Sequence, residues 1–156
     1  MASEIIILLR KVQEMAEKEL KIRNVLQPGI IKELIIADIL GHEIIPDKRL
    51  PDAKDSKGNL FEYLSSINRG NAKTNKGSSF QIDRITCNNL SRIKRNKVFY
   101  FAFFADHLTI EEIYEVKTAK VLEEVVRQLH ACKNEIAHVN FLTRLVKENG
   151  VRVYPK

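Results

Sequence analysis

Two carboxylates, Asp52 and Glu62, are the residues whose type and spacing best suit a chemical role. They stand on either side of a turn centred on Gly58, and the two strands of a hairpin there would bring them together. Carboxylate oxygens are hard ligands suited to Mg²⁺, and a bound Mg²⁺ ion stabilises the charge that builds on a reacting phosphate. A solvated turn aspartate and a strand-edge glutamate are the ordinary alternative, which the spacing alone favours.

A basic segment follows the carboxylates. Between residues 68 and 97 the single acid is Asp83, and the cations are Arg69, Lys73, Lys76, Arg84, Arg92, Lys94, Arg95 and Lys97. The whole chain holds 26 Lys and Arg against 20 Asp and Glu, a net charge of +6. The net charge alone is equally consistent with ordinary solubility, but its concentration in one segment predicts contacts with the phosphates of a nucleic acid.

The elements that must position these residues follow from hydrophobic periodicity. Apolar residues recur at helical spacing over 3–22 and 30–40, and the second helix is apolar nearly all round, which predicts a place in the core or at a subunit interface. Residues 97–105 are continuously apolar and aromatic, as in a central strand buried on both faces. Further strands are predicted over 43–46, 59–66, 80–86, 109–116 and 151–154, and further helices from a Thr118 cap to about 130 and over 134–148. This order predicts one α/β or α+β domain, residues 1–156, with a mixed sheet flanked by helices.

Composition excludes several classes of protein. The chain of 156 residues has no apolar run long enough to span a membrane. The N-terminus lacks the basic start of a secretion signal, so we expect a cytoplasmic protein. Cys87 and Cys132 form neither a disulfide framework nor a CxxC metal pair, and we expect reduced thiols.

A pattern of spaced residues runs through 27–65: Gln27, Lys32, Gly41, Pro46, Asp52, Ala53, Asp55, Gly58, the aromatic Phe61, Glu62 and Ser65. With this pattern the segment resembles the core of the PvuII-type restriction endonucleases, within the PD-(D/E)xK nuclease superfamily. The resemblance resumes at Phe101-Ala102, at Ile110–Tyr114 and near the C-terminus, whereas 66–79 and 118–138 match poorly.

The resemblance implies a restriction-endonuclease-like fold and a type II restriction endonuclease that hydrolyses duplex DNA with Mg²⁺. It implies that Asp52, Glu62 and the backbone carbonyl of Tyr63 hold the metal. Glu33 would contribute through a water molecule, or would simply be a helix-surface glutamate. The family's catalytic lysine, however, corresponds to Leu64, which can neither donate a hydrogen bond nor carry charge.

Three explanations of Leu64 compete. The chain is an engineered cleavage-deficient variant, or a naturally degenerate nuclease, or a nuclease in which Lys54 or Lys57 reaches in from the loop. The intact surrounding motif favours the first explanation. On any of them except the last, we expect the chain to bind DNA and to cut it poorly.

The resemblance also places a DNA-reading strand near residues 80–85. Gln81, Asp83 and Arg84 have the side-chain types that pair with base edges, although Asp83 and Arg84 could also form an ordinary surface ion pair. Further candidate base contacts are Asn88, Asn89 and Arg92. Candidate phosphate contacts, which position without specifying a sequence, are Lys73, Lys76, Lys94, Arg95 and Lys97.

The apolar helices within residues 1–41 predict a dimerisation region, since two-fold DNA sites are met by two-fold proteins. Three other functions remain open from the sequence. A homing endonuclease or junction resolvase on the same fold would differ in site length and assembly. A non-catalytic DNA-binding protein would lack metal binding at the carboxylates, and a basic protein-interaction module would lack salt-dependent DNA affinity.

Overall fold

The structure, a computed structural model, describes residues 2–67 and 79–155. Five α-helices, one short 3₁₀ helix (Cys87–Asn89) and eight strands lie within these ranges. In chain order the α-helices and strands are α1 (Ala2–Leu20), α2 (Pro28–Leu40), β1 (Glu43–Ile44), β2 (Ala53–Lys54), β3 (Leu60–Ile67), β4 (Ser79–Ile85), α3 (Ser91–Lys94), β5 (Val98–Phe104), β6 (Ile110–Lys117), α4 (Thr118–Ala131), β7 (Ala137–Leu142), α5 (Thr143–Asn149) and β8 (Gly150–Tyr154).

A six-stranded mixed sheet forms the centre of the molecule, in the order β1-β2-β3-β5-β6-β8. β3 and β5 run parallel, and the other neighbouring pairs of this sheet run antiparallel. β4 and β7 pair antiparallel as a separate two-stranded ribbon. The predicted mixed sheet is therefore confirmed.

The two faces of the sheet carry separate apolar clusters. On one face Phe61, Tyr63 and Tyr100 pack with Ile36 and Ala37 of α2. On the other face lie residues of β3, β5, the β4–β7 ribbon, α3, α4 and α5, among them Leu64, Phe80, Ile93, Phe99, Val121, Phe141 and Val146. Since β5 contributes to both clusters, the prediction that residues 97–105 form a strand buried on both faces is confirmed.

The helix predicted over 134–148 is wrong in its first half. Residues 137–142 form strand β7, and the helix α5 occupies only Thr143–Asn149. Ala137, Val139 and Phe141 are buried while His138, Asn140 and Leu142 are exposed, which is the period of two that defines a half-buried strand. The pairing with β4, more than fifty residues earlier in the chain, decides the conformation.

The cap predicted for α4 is also wrong. The residue before the helix is Lys117, and it makes no side-chain capping bond. The hydroxyl of Thr118 instead donates to the carbonyl of Asn96 at 2.8 Å, so it ties the start of α4 to the turn before β5. The predicted end of α2 is confirmed, because Gly41 takes the left-handed conformation (φ 67°) and its N–H returns to the last turn.

No helix within the described ranges is long and apolar enough to cross a membrane. Cys87 and Cys132 are both free cysteines.

Candidate active site

The hairpin of β2 and β3 brings Asp52 and Glu62 together. Ala53 pairs with Phe61 across the hairpin, so the register extended by one residue sets Asp52 opposite Glu62. The Asp52 carbonyl accepts from the N–H of Ile45 at 2.8 Å, which continues the pairing with β1 beyond Ala53. Its carboxylate oxygen Oδ2 accepts from the N–H of Tyr63 at 2.8 Å. The sequence-based prediction that a hairpin joins the two carboxylates therefore agrees with the structure.

Both carboxylates lie in an environment that resists their ionisation. Burial raises the pKa of Asp52 above its ordinary value, and the charges of Glu62 and Glu33 raise it further. Burial also raises the pKa of Glu62, while Arg95 and Arg92 act in the opposite direction. The Oε2 atom of Glu62 is buried without a hydrogen-bond partner. Such an atom is costly unless a cation or donor meets it, so the pair is short of positive charge.

Tyr63 contributes its backbone to this site. In a strand the N–H and C=O of one residue point to the same side. Because the Tyr63 N–H meets Asp52, its carbonyl also points towards the side where Asp52 lies. The phenol of Tyr63 lies on the face of the sheet opposite to Glu62 and Leu64. Its hydroxyl forms a hydrogen bond with Nδ1 of His42 at 2.8 Å.

Glu33, on α2, is ion-paired with Lys48. It lies near enough for its charge to raise the pKa values of Asp52 and Glu62. Within the described part of the chain, no group of three or more acidic, His or Cys residues is arranged to hold a metal. Metal binding by Asp52 and Glu62, with or without Glu33, therefore stays a prediction.

Of the two lysines considered as replacements for the missing lysine, Lys54 is directed elsewhere. The amine of Lys54 pairs with Glu43 at 3.1 Å on the edge strand β1. Lys57 is exposed in the turn, where its backbone N–H donates to Asp55. The cations that act on Glu62 are Arg95, Arg92 and Lys48.

Leu64 follows Glu62 on the same face of β3 and is 6% exposed. It belongs to the apolar cluster that includes Phe80, Ile93 and Phe99. A lysine at this position would place its amine between an apolar cluster and the carboxylate pair. Leu64 therefore fills the position of the family's lysine with an inert side chain that packs in the apolar cluster.

The inward residues of the β4–β7 ribbon pack in the same apolar cluster as Leu64, and its other face is polar and exposed to solvent. Gln81 and Asp83 of β4 are exposed, as are His138 and Asn140 of β7, while the alternate residues pack inward. Gln81 pairs with Asn140 in the ladder, and Nδ1 of His138 lies 2.8 Å from Oδ1 of Asp83. Asp83 therefore has a partner on β7 as well as Gln81 on its own strand. His138 and Asn140 had not been predicted as site residues, although the alternation of residues 137–142 was a signal that could have found them.

Arg84 occupies an irregular point of β4. Its φ is 58°, in the left-handed region, and the register shifts between Ile82 and Ile85. Bulges of this kind re-aim a side chain, and non-glycine residues with positive φ cluster at functional sites. Arg84 is exposed at this point.

Asn89 is a structural residue in the turn after β4. Its side-chain oxygen accepts from the N–H of Thr86 at 2.9 Å, and its amide donates to the carbonyl of Arg84 at 2.8 Å. Asn88 beside it is exposed. Asn89 thus stabilises the bulge that carries Arg84. Asn88 takes no part in these two hydrogen bonds.

The remaining basic candidates divide between the surface and the interior. Lys94 and Lys97 are exposed, and Lys73 and Lys76 lie outside the described residues. Arg92 and Arg95 are partly buried near the carboxylate pair. Arg92 donates to the carbonyl of Asp83 at 3.2 Å, so it links the pair to the ribbon.

A search against protein families identifies the class of this molecule. The family model described as restriction endonuclease PvuII matches residues 2–154. The chain belongs to the PvuII restriction endonuclease family. A search of curated proteins found no match.

Membership in the PvuII restriction endonuclease family confirms the predicted restriction-endonuclease-like fold, a mixed sheet flanked by helices. It also identifies a DNA endonuclease whose family binds duplex DNA. The PvuII family match extends through 118–138, the segment where the sequence resemblance was weak.

Proposed function

We propose that this protein is a Mg²⁺-dependent type II restriction endonuclease that binds a short specific duplex sequence as a homodimer. The observation that carries the proposal is the partly buried pair Asp52 and Glu62, in which the Oε2 atom of Glu62 is buried without a partner. Hard oxygen ligands in this state suit a small divalent cation.

The residues present fit such an ion. Asp52, Glu62 and the carbonyl of Tyr63 would hold it, as the family resemblance implies. A divalent ion there supplies stabilisation of negative charge on the phosphate and a water of lowered pKa. The protein's own residues fix the site, since the Tyr63 N–H holds Oδ2 of Asp52 and the hairpin register holds Glu62 opposite.

Leu64 limits the rate of cleavage. A lysine two residues after the glutamate would orient the attacking water and balance charge, and leucine can do neither. Neighbouring apolar side chains also hold Leu64 in place. We therefore propose that the chain binds DNA well and cuts it slowly.

The β4–β7 ribbon reads the sequence. Gln81, Asp83, His138 and Asn140 form one exposed row of donors and acceptors, and Arg84 projects at the bulge. An antiparallel ribbon fits the major groove, where such groups distinguish base pairs. Lys94 and Lys97 lie on the exposed surface near the end of α3, where they suit phosphate contacts.

Helix α1 forms the dimer interface. Its exposed large apolar side chains include Ile5, Leu8, Leu9, Val12 and Met15, while Ala16 is buried against the rest of the fold. A monomer rarely exposes so continuous an apolar face, and a second copy would cover it. A dimer also supplies one carboxylate pair for each DNA strand.

A second candidate is a DNA-binding protein without cleavage, favoured by the burial of Leu64 in the apolar cluster. The two candidates differ in metal binding. A relic selected only for DNA affinity has no use for a partly buried carboxylate pair, whereas a nuclease needs it.

Calorimetric titration with Mg²⁺ and Mn²⁺, in the presence of duplex DNA, tests the site. We expect binding by the protein as it stands and at least a tenfold weaker affinity in Asp52→Asn. Asp106→Asn, which changes an exposed turn carboxylate, is the control and should leave the affinity unchanged. Equal affinities in all three proteins would contradict the proposed metal site.

A further inference from the structure

Arg95 is placed at the carboxylate pair by the way α3 joins the sheet. α3 lies on the face of the sheet to which Glu62 and Leu64 point, because its Ile93 is buried in the same cluster as Leu64. Two residues after Arg95, the N–H of Lys97 donates to the carbonyl of Leu60 at 2.8 Å, and Phe99 then pairs with Glu62. The end of α3 is therefore fixed beside the start of β3.

The guanidinium of Arg95 extends from α3 towards the loop that precedes Asp52. Its Nη1 donates to the carbonyl of Arg49 at 2.9 Å. Its Nε is buried without a hydrogen-bond partner. An arginine anchored at one nitrogen, with another N–H unused in the interior, has a donor left for an anion.

A carboxylate oxygen near the start of β3 is also unused, and no hydrogen bond joins it to Arg95. Oε2 of Glu62 is likewise buried without a partner. The charge of Arg95 is the strongest of those that hold down the pKa of Glu62. The other nearby cations are engaged elsewhere, since Arg92 donates to the carbonyl of Asp83 and Lys48 pairs with Glu33.

We propose that Arg95 is a positioning residue which supplies, beside Glu62, the positive charge that the family's lysine supplies at the position of Leu64. This inference rests on the proposed nuclease function and deepens it. Arg95 acts through Glu62, because its charge and its unused Nε donor lie on the side of the sheet to which the Glu62 carboxylate points. The slow cleavage expected of the Leu64 protein therefore depends on Arg95.

The first test is the rate of cleavage at saturating protein and Mg²⁺ in a single turnover. Arg95→Gln should slow cleavage about 100-fold, a loss typical of removing a preorganised donor. Arg95→Lys should recover most of the rate, because it keeps the charge. Arg127→Gln removes an exposed arginine paired with Glu124 on α4 and should leave the rate unchanged.

The Leu64→Lys background separates a charge role from a general structural one. With a lysine at position 64, Arg95→Gln should slow cleavage by less than about tenfold, because the lysine again balances the charge of the carboxylates. An equal loss in both backgrounds would overturn the proposal, since a merely structural arginine is needed regardless of residue 64.

A double-mutant cycle, measured by thermal stability, tests the interaction of Arg95 with Glu62 even if none of the variants cuts DNA. At neutral pH, Arg95→Gln should lower the Tm by about 3 °C or more beyond its effect in the Glu62→Gln background. Additive effects would show that Arg95 and Glu62 do not interact, and would overturn the inference. Coupling without cleavage by any variant would retain the Arg95 assignment and would reject the nuclease function.

Discussion

The ionisation of Asp52 and Glu62 costs the folded protein stability. Burial raises the pKa of each above its ordinary value, so the folded state holds protons more tightly than the unfolded chain. Stability therefore falls as pH rises above about 4, where the carboxyls of the unfolded chain ionise. A divalent cation would restore the lost stability, because it binds the folded state alone.

Asp52→Asn tests this cost. The amide keeps an oxygen to accept the Tyr63 N–H and removes one charge from the pair. We expect the variant to raise the Tm at pH 8 by about 3 °C or more, with little change at pH 4. Mg²⁺ should then stabilise the unmodified protein and not the variant. Thermal unfolding followed by circular dichroism, at both pH values, measures the effect.

Asp106→Asn is the matched control of opposite sign. Asp106 accepts from the N–H groups of Leu108 and Thr109, and these bonds lower its pKa. Its contribution to stability is present at neutral pH and is lost as pH falls, so its replacement should lower the Tm at pH 8. If Asp52→Asn also lowered it there, the carboxylate pair would not be the costly group that we describe.

At the scale of elements, the parts of the site that depend on local spacing were predictable and the parts that depend on packing were not. The turn at Gly58 and the ten-residue separation predicted the hairpin that sets Asp52 beside Glu62, but the spacing alone did not distinguish a metal site from an ordinary turn. The strand β7 was missed because its six residues lie between helical patterns, and its conformation depends on distant β4. The position of Arg95 depends on how α3 packs on the sheet, which no local pattern in the sequence reveals.

Substitutions on the β4–β7 ribbon should change the preference for one DNA sequence, whereas a substitution of a phosphate-contacting lysine should change the affinity for all DNA. Arg84→Ala, His138→Ala and Asn140→Ala should reduce the preference for the cognate site, at about 1–3 kcal/mol for each lost base contact. Lys94→Ala should weaken binding to all sequences alike and reduce its salt dependence. Selection from a random duplex library, followed by fluorescence anisotropy, measures both properties. A uniform loss in the three ribbon variants would exclude the ribbon from base reading.

At the scale of the whole molecule, the exposed face of α1 predicts the oligomeric state. Light scattering should report about 36 kDa, twice the 18.0 kDa of one chain. Leu8→Glu, at a side chain 62% exposed, should yield a monomer without loss of folding. Val151→Glu, which adds the same charge at a valine 68% exposed on β8, should remain dimeric. A monomer at micromolar concentration, unchanged by DNA, would contradict the dimer.

The most direct measurement of the central claim is cleavage by the Leu64→Lys protein, with the cut ends sequenced. Plasmid DNA and Mg²⁺ are incubated with this variant, with the unmodified chain and with Leu64→Lys carrying Asp52→Ala. Restoring the lysine should raise Mg²⁺-dependent cleavage at one recurring sequence by orders of magnitude, because a well-placed cation stabilises charge that develops in the transition state. Asp52→Ala should abolish it. If Leu64→Lys cut no better than the unmodified chain with any divalent ion, or if Asp52→Ala cut equally well, the account of this site would be wrong.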